Sequence, residues 1–357
     1  MSITGVRIKD FLVFRGEFAA NFGDGKGINI FVGENGTGKT TLLKCFYAAT
    51  DSVVYKASYY FNSIELVENR DVIATITGIP LEAHHETDNN PAVAVYLSHS
   101  EEWSKYDEES QSKIDEVSAY TKGNKSREAL EANILAFNNN IKSVYIPEKD
   151  LLSNAKGLPE SVLYGNAQFT RFEIDVIMKA RVLANTPVQP LYQKICEIIG
   201  GEPLNDGQSF YIKRPNIEKP IHFSLEASGY RKFALLAMLI RNEQIKQGTA
   251  LLWDEPENSL NPELMPKLVE ILLELAQNGV QVFIATHDYN LVRHFDVRKN
   301  KDIPVLYHNL TKQAGNGQIS CESYAKYTEM SDNLLERANE NLFEAVVLDV
   351  MGDDSDE

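Results

Sequence analysis

The sequence contains few cysteines and no long apolar run. Cys45, Cys196 and Cys321 are the only cysteines among 357 residues, and their separation excludes a CxxC or Cys/His zinc pattern and a disulfide framework. No stretch approaches the roughly 18 consecutive apolar residues that a membrane helix needs. The N-terminal segment carries charges at Arg7 and Lys9 where a signal peptide would be apolar. These absences predict a cytoplasmic protein that makes no membrane contact.

Positive charge is also scarce. The chain has 35 Lys and Arg residues against 51 Asp and Glu residues, a net charge of −16, whereas a protein that coats DNA normally has a basic surface. Local basic clusters at 211–219, 231–232 and 298–301 leave nucleic-acid contact open, but a solvated face accounts for each of them as well. The 43% hydrophobic content predicts a globular chain with one large or two modest domains.

A glycine-rich segment stands between an apolar run and a helix. Residues 33–40 (GENGTGKT) fit the pattern GxxxxGK[ST]; the run INIFV precedes them, and a helix is predicted from Thr40 to about Thr50. Glycines let such a loop curl so that its backbone N–H groups point at phosphate oxygens. Lys39 would bind the β- and γ-phosphates of ATP, and the Thr40 hydroxyl would bind Mg²⁺. The predicted nucleotide-binding residues of this loop are Gly33, Asn35, Gly36, Thr37, Gly38, Lys39, Thr40 and Thr41.

A second apolar strand, 249–254, ends in two adjacent carboxylates. Neighbouring side chains of a strand point in opposite directions, so Asp254 and Glu255 can have different roles. Asp254 would hold Mg²⁺ through water, and Glu255 would orient the water that attacks the γ-phosphate. On its own this pattern also fits an ordinary strand end. Its combination with the phosphate loop favours a catalytic site.

Two further segments extend the candidate site. The apolar strand 280–286 is followed by His287, whose imidazole would reach the γ-phosphate or the attacking water, which adds His287 to Glu255 and Lys39 as a predicted catalytic residue. Ser228 and Gly229 open a helix, and the backbone amides there would bind the γ-phosphate of a second nucleotide. A plain helix N-cap by Ser228 is the alternative interpretation of that turn.

These segments together resemble the ATPase core of the ABC superfamily, and more narrowly its SMC/RecF/OLD-type branch, often classed as AAA15 or AAA21 ATPases. The resemblance covers residues 1–50 and about 220–295, with a less specific similarity at 146–157. It implies a Walker A motif at 33–40, a Walker B motif at 251–255, a signature turn at 226–230, a D-loop at 258–261 and a switch histidine at His287.

The sequence departs from the family pattern at three places. Ala227 stands at the serine position of the signature, Asn261 stands where the D-loop usually has aspartate, and no recognisable Q-loop lies between 51 and 145. These departures predict slow or partner-dependent hydrolysis of ATP.

The resemblance implies an α/β fold: an ABC-type P-loop ATPase head with a mixed sheet and a mostly helical insertion. The predicted domains are an ATPase core formed by 1–50 and 220–310, an insertion at 51–219 with mixed strands and a helical lid, and a C-terminal extension at 311–357 with an acidic tail. Beyond those named above, the pattern predicts strands at 91–98, 143–147 and 220–225, and helices at 101–117, 148–156, 168–184, 189–199, 229–246 and 262–277.

In this superfamily the phosphate loop of one subunit faces the signature turn of another, so the resemblance implies a homodimer, or a higher homo-oligomer, that encloses two ATP molecules. The segment between Thr40 and Ala227 is too long for a transporter subunit and too short for a coiled-coil arm. The segment after His287 lacks the acidic motifs of a nuclease domain.

Two functions remain at this point. One is a regulatory ATPase of an anti-phage system, similar to PARIS- or Septu-like pairs, that controls a separate effector, a nuclease or toxin. The alternative is a RecF-like DNA-repair ATPase that binds DNA as an ATP-bound dimer.

Overall fold

The computed structural model describes residues 2–11, 13–50, 64–67, 72–78, 92–97, 142–163, 171–182, 187–299 and 301–353. The helix predicted at 101–117 lies outside these residues, as do the last residues of the acidic tail. No helix among the described ranges is long and apolar enough to cross a membrane.

The described strands form three sheets. They are β1 (Ile3–Phe11), β2 (Phe14–Asn21), β3 (Ile28–Gly33), β4 (Ile64–Val67), β5 (Val72–Gly78), β6 (Ala92–Leu97), β7 (Lys142–Ile146), β8 (Glu202–Asn205), β9 (Phe210–Lys213), β10 (Ile221–His222), β11 (Thr249–Asp254), β12 (Gln281–Ala285), β13 (Val305–Lys312) and β14 (Ile319–Tyr324). The central sheet has the order β14-β13-β3-β12-β11-β7. Its strands are parallel except for β14, which runs antiparallel to β13, so the sheet is mixed as predicted.

The helices lie around these sheets. They are α1 (Lys39–Thr50), α2 (Leu158–Leu163), α3 (Arg171–Arg181), α4 (Pro190–Ile199), α5 (Ser228–Arg241), α6 (Met265–Gln277), α7 (Tyr289–Arg298) and α8 (Leu334–Asp353). The five-stranded sheet β2-β1-β6-β5-β4 is antiparallel, and so is the small sheet β10-β9-β8.

Both faces of the central sheet are buried, which explains why β3, β11 and β12 are mostly apolar. In β11 all six residues are buried; Leu251 and Trp253 belong to one apolar cluster, and Ala250 and Leu252 to the other. The first cluster continues into α4, α5, α6 and α7, and the second continues into α1, β1 and β2. Parallel strands covered on both faces read as continuous apolar runs, which is the pattern that made β3, β11 and β12 predictable.

The structure places parts of the predicted insertion and extension in this sheet. Within residues 51–219, β7 pairs with β11 at one edge of the central sheet, and six strands and three helices are described. At the other edge, β14 and the end of β13 come from the predicted extension 311–357. The central sheet is therefore assembled from segments along the whole described chain.

Most predicted elements are confirmed, with two corrections. The predicted helix at 148–156 is wrong: only the short 3-10 turn Leu152–Asn154 forms, because the carboxylate of Asp150 accepts hydrogen bonds from the backbone N–H groups of Leu152 and Ser153. The strand predicted at 220–225 shrinks to two residues, since Ser224 N–H donates to the ring of His222 and a 3-10 turn begins there.

Candidate nucleotide-binding site

The loop between β3 and α1 has a backbone that only glycine fits at Gly38. Its φ is +90°, and an added Cβ would lie 2.6 Å from Cγ2 of Val13 and 2.7 Å from the ring of Phe14. Thr37 is buried and its hydroxyl donates to the carbonyl of Glu34 at 2.9 Å, which closes the turn. The loop is therefore held in a curled shape at the N-terminus of α1.

Lys39 is folded back over this loop. Its Nζ donates to the carbonyl oxygens of Gly33 at 2.8 Å and Glu34 at 3.1 Å, and the side chain is mostly buried. Burial lowers the pKa of Lys39, while the nearby carboxylates of Glu255 and Asp254 act in the opposite direction. A cation thus stands beside the N-terminus of a helix, where backbone amides also attract anions.

The loop meets the second motif through Thr40 and Asp254. The Thr40 hydroxyl donates to Oδ1 of Asp254 at 2.9 Å, and Tyr145 on β7 donates its hydroxyl to Oδ2 at 3.3 Å. Burial raises the pKa of Asp254 to about 6, and the bond from Thr40 opposes this shift. A hydroxyl beside a carboxylate that has lost its hydration is an oxygen donor set that suits Mg²⁺. These two residues would hold the ion.

Glu255 begins the turn after β11 in an unusual backbone conformation. Its φ is +47°, in the left-handed region that disfavours residues with a side chain, and its N–H donates to the carbonyl of Ala285 at 2.9 Å. Its carboxylate Oε2 lies 2.7 Å from Nδ1 of His287, which follows β12. The mostly buried carboxylate therefore faces an exposed imidazole, and both stand at the carboxyl ends of neighbouring parallel strands.

Glu257 is a site residue that sequence reasoning missed. It is buried, and its Oε1 accepts the Thr286 hydroxyl at 2.5 Å. Burial, together with a hydrogen bond to Glu255, raises the pKa of Glu257 well above its ordinary value. One ligand atom from each of Glu255, Glu257 and His287 lies within 4.8 Å of the others. The available signal was a third acidic residue two positions after Glu255, just past a fully buried strand.

Ser228 and Gly229 form the first turn of α5 and contact the predicted D-loop of the same chain. The Ser228 hydroxyl donates to the carbonyl of Ser259 at 2.7 Å. A Cβ on Gly229 would lie 3.1 Å from Leu260. The N-cap is Ala227 without a side-chain bond, so the alternative of an N-cap by Ser228 is wrong. The described hydrogen bonds thus connect the signature turn to the D-loop, and none of them connects it to the phosphate loop.

An ion pair and a hydrogen bond connect the start of α5 and the predicted D-loop to the segment after β7. Nε of Arg231 lies 2.6 Å from Oδ2 of Asp150, and the Asn258 amide in the predicted D-loop donates to Glu148 at 2.8 Å. The predicted segment 146–157 is therefore packed beside both the signature turn and the D-loop.

Fold and site together define a P-loop nucleotide-binding protein. The family model described as "AAA domain, putative AbiEii toxin, Type IV TA system" matches residues 81–293, more than half of the chain. The chain belongs to this family of AAA-domain proteins.

The individual proteins that match this chain share low sequence identity with it over part of its length. The chain is 30% identical over 113 residues to the arginine/ornithine transport ATP-binding protein of Pseudomonas aeruginosa, covering 29% of this chain and 43% of that protein. It is 25% identical over 142 residues to the energy-coupling factor transporter ATP-binding protein of Methanothermobacter thermautotrophicus, covering 35% and 43%. The chain spans less than half the length of these curated relatives. The solved SMC head domain from Thermotoga maritima is 15% identical with a TM-score of 0.44, covering 91% of this chain and 99% of that one.

Proposed function

We propose that this protein binds and hydrolyses ATP between two copies of the chain, and that the ATP-bound assembly regulates a separate effector, a nuclease or toxin, in bacterial anti-phage defence. The observation that carries the ATPase part is the contact between Thr40 and Asp254, which joins the phosphate loop to the acidic strand. Membership of a family described by a toxin and a toxin–antitoxin system supports the defence part. A cytoplasmic location fits this role.

In this proposal Lys39 leaves the carbonyls of its own loop and binds the β- and γ-phosphates, while the backbone amides of Asn35 to Thr41 surround them. Mg²⁺, held by Thr40 and by Asp254 through water, supplies neutralisation of the charge that develops on the phosphates. The ammonium of Lys39 is already poised within the loop by two weak partners that phosphate oxygens can replace.

Glu255 orients the attacking water by accepting its hydrogen bond and takes up its proton as the water oxygen bonds to the γ-phosphorus. The bond between that phosphorus and the bridging oxygen breaks in the same step, and ADP leaves with the electron pair. His287 is exposed beside this carboxylate, so it can donate to the γ-phosphate or to the same water. The left-handed backbone at Glu255 turns the side chain away from the strand direction and toward His287. The raised pKa of Glu257 favours its protonated form, so Glu257 adds no second negative charge beside the attacking water.

The proposed homodimer follows from the position of the signature turn. Ser228 and Gly229 contact the D-loop of their own chain, which supports a signature turn that serves the phosphate loop of a second copy. ATP then acts as a signal as well as a substrate, because γ-phosphate contacts close the dimer and hydrolysis releases it.

The proposed function is tested by affinity purification of the tagged chain from its host, with ATP and without it. We expect a nuclease or toxin chain to be retained in proportion to the ATP-bound state, and retained most by Glu255→Gln. An ATPase that forms dimers but retains no such chain in either state would remove the effector role and leave the ATPase role intact.

The alternative, a RecF-like repair ATPase, makes a different prediction. It requires DNA binding in the presence of ATP, which the net charge of −16 disfavours. A gel-shift assay at moderate salt with ATP distinguishes the two functions, since a stable shift of duplex or junction DNA would favour repair.

A further inference from the structure

Lys232 connects the signature helix to the turn that carries the predicted catalytic carboxylate. It lies on α5, one helical turn after Ser228. Its Nζ donates to the carbonyl oxygen of Glu255 at 3.2 Å and to that of Pro256 at 2.9 Å. Both bonds go to backbone atoms, so they fix the path of the chain at Glu255 and leave its carboxylate free.

The environment of Lys232 is unusual for a lysine. Burial lowers its pKa to about 8, while the carboxylates of Glu257, Asp150 and Glu148 oppose this shift. Lysine is rarely buried unless its ammonium group is paired or hydrogen-bonded, because removing that charge from water is costly. At Lys232 the two carbonyls provide the hydrogen bonds, and Asp150 and Glu148 provide opposite charge.

The turn that Lys232 holds contains strained backbone. Glu255 has a φ of +47° and Ser259 a φ of +59°, and residues with side chains remain in this region only where the surroundings hold them there. The first five residues of α5, 228–232, contact both ends of the segment 255–259: Lys232 holds its beginning, and the Ser228 hydroxyl donates to the carbonyl of Ser259 at its end. The start of one helix thus supports both strained residues.

We propose that Lys232 is a positioning residue that sets the place of the Glu255 carboxylate and couples it to the signature turn of the same chain. This inference rests on the proposed ATPase function. A hydroxyl has one proton to donate, so Ser228 cannot donate to Ser259 and to the γ-phosphate of a partner-bound nucleotide at once. Engagement of Ser228 by nucleotide would therefore release one end of the segment, while Lys232 keeps Glu255 in place for the attack on water.

The test compares Lys232→Met with the wild-type protein. Methionine keeps the length and apolar stem of the side chain and removes its donors. We expect kcat for ATP hydrolysis to fall roughly tenfold to a hundredfold, since small displacements of a catalytic group have effects of that size. KM and the affinity for a fluorescent ATP analogue should stay near the wild-type values, because Lys232 does not reach the phosphate loop.

Rates are expressed per bound nucleotide, so that a loss of folded protein does not count as a loss of catalysis. Lys232→Arg, which keeps charged donors, should recover part of kcat, and Lys232→Gln, which keeps one amide donor, should be intermediate. If Lys232→Met does not fold, the ranking of the other two variants decides the matter. Lys194→Met is the matched control, because Lys194 on α4 forms a partly exposed ion pair with Glu274 on α6.

Equal kcat in Lys232→Met and wild type would overturn the inference, and so would a change in KM alone. A fall in thermal stability with unchanged kcat per bound nucleotide would assign Lys232 a structural role only, which also contradicts it. Failure of the proposed function looks different: the wild-type protein itself would then bind or hydrolyse no ATP.

Discussion

The hydroxyl of Thr40 and the carboxylate of Asp254 are 2.9 Å apart, although 214 positions separate them in the sequence. Thr40 opens α1 after β3, and Asp254 ends β11, with β12 lying between the two strands. A single hydrogen bond therefore joins the two halves of the predicted site within one chain. In this hydrogen bond the Thr40 hydroxyl occupies the position beside Asp254 where Mg²⁺ would bind.

Thr40→Val tests this hydrogen bond with a side chain of the same shape. Asp254 would lose its closest donor while remaining buried, so the free energy of unfolding should fall by about 1 kcal/mol or more. The affinity for Mg²⁺ with nucleotide should also fall, which titration of a fluorescent ATP analogue with MgCl₂ measures. Thr311→Val, which removes a hydroxyl that pairs with Ser320 on β14, serves as the control and should leave Mg²⁺ affinity unchanged. Unchanged Mg²⁺ dependence in Thr40→Val would count against the assignment.

Lys39→Ala should abolish nucleotide binding or its effect on the protein. Saturating ATP stabilises a binding protein by about 2.7 kcal/mol at one hundred times the dissociation constant. Thermal melts with and without ATP should therefore differ for the wild type and coincide for Lys39→Ala. Lys26→Ala removes an exposed lysine that pairs with Asp24 and should keep the full shift. A full ATP-induced shift in Lys39→Ala would refute its role.

Glu255→Gln should bind ATP and fail to hydrolyse it. Removing a general base costs roughly a hundredfold or more in rate, so the ATP-bound dimer should accumulate. Size-exclusion chromatography with ATP is expected to show a dimer for this variant and a monomer–dimer mixture for the wild type. Glu263→Gln, at an exposed acid in the turn before α6, should behave as the wild type. A Glu255→Gln protein that elutes only as a monomer with ATP would argue strongly against the two-copy site.

Glu257→Gln should flatten the dependence of stability on pH. Because the folded protein raises the pKa of Glu257, it binds more protons at this residue than the unfolded chain above the ordinary pKa of 4.5. Wild-type stability from this residue is therefore complete at acidic pH and decreases as the pH rises toward neutrality. Urea unfolding at several pH values from 4.5 to 7.5 should show a smaller decrease for the variant. Parallel curves for the two proteins would contradict the assignment.

The sequence predicted the central strands and their motifs because their signals are local. Each of β3, β11 and β12 is a mostly apolar run followed by a distinctive group, and burial on both faces favours that pattern. The phosphate loop was predictable for the same reason: its glycines, Lys39 and Thr40 are contiguous.

The remaining features depend on contacts between distant segments. Tyr145 reaches Asp254 only because β7 pairs with β11. Lys232 reaches Glu255 only because α5 packs against the opposite face of the central sheet, in the apolar cluster that contains Leu251 and Trp253. Nothing in the local sequence of either residue reports these partners. Glu257 was missed for a related reason, since its burial depends on Thr286 from the next strand connection. Asp150 shows the opposite case, in which one side chain overrode a helical pattern through its own backbone bonds.

The position of β13 matters for truncated proteins that still contain the sequence motifs. This strand runs beside β3, and its Leu310 carbonyl stands so close to Gly33 that a Cβ there would come within 2.3 Å. A polypeptide that stops before residue 305 would still contain every predicted site residue. It would lack β13, the strand that packs against the start of the phosphate loop. We therefore expect binding of a triphosphate to require the part of the chain that is synthesised last as well as the part that is synthesised first.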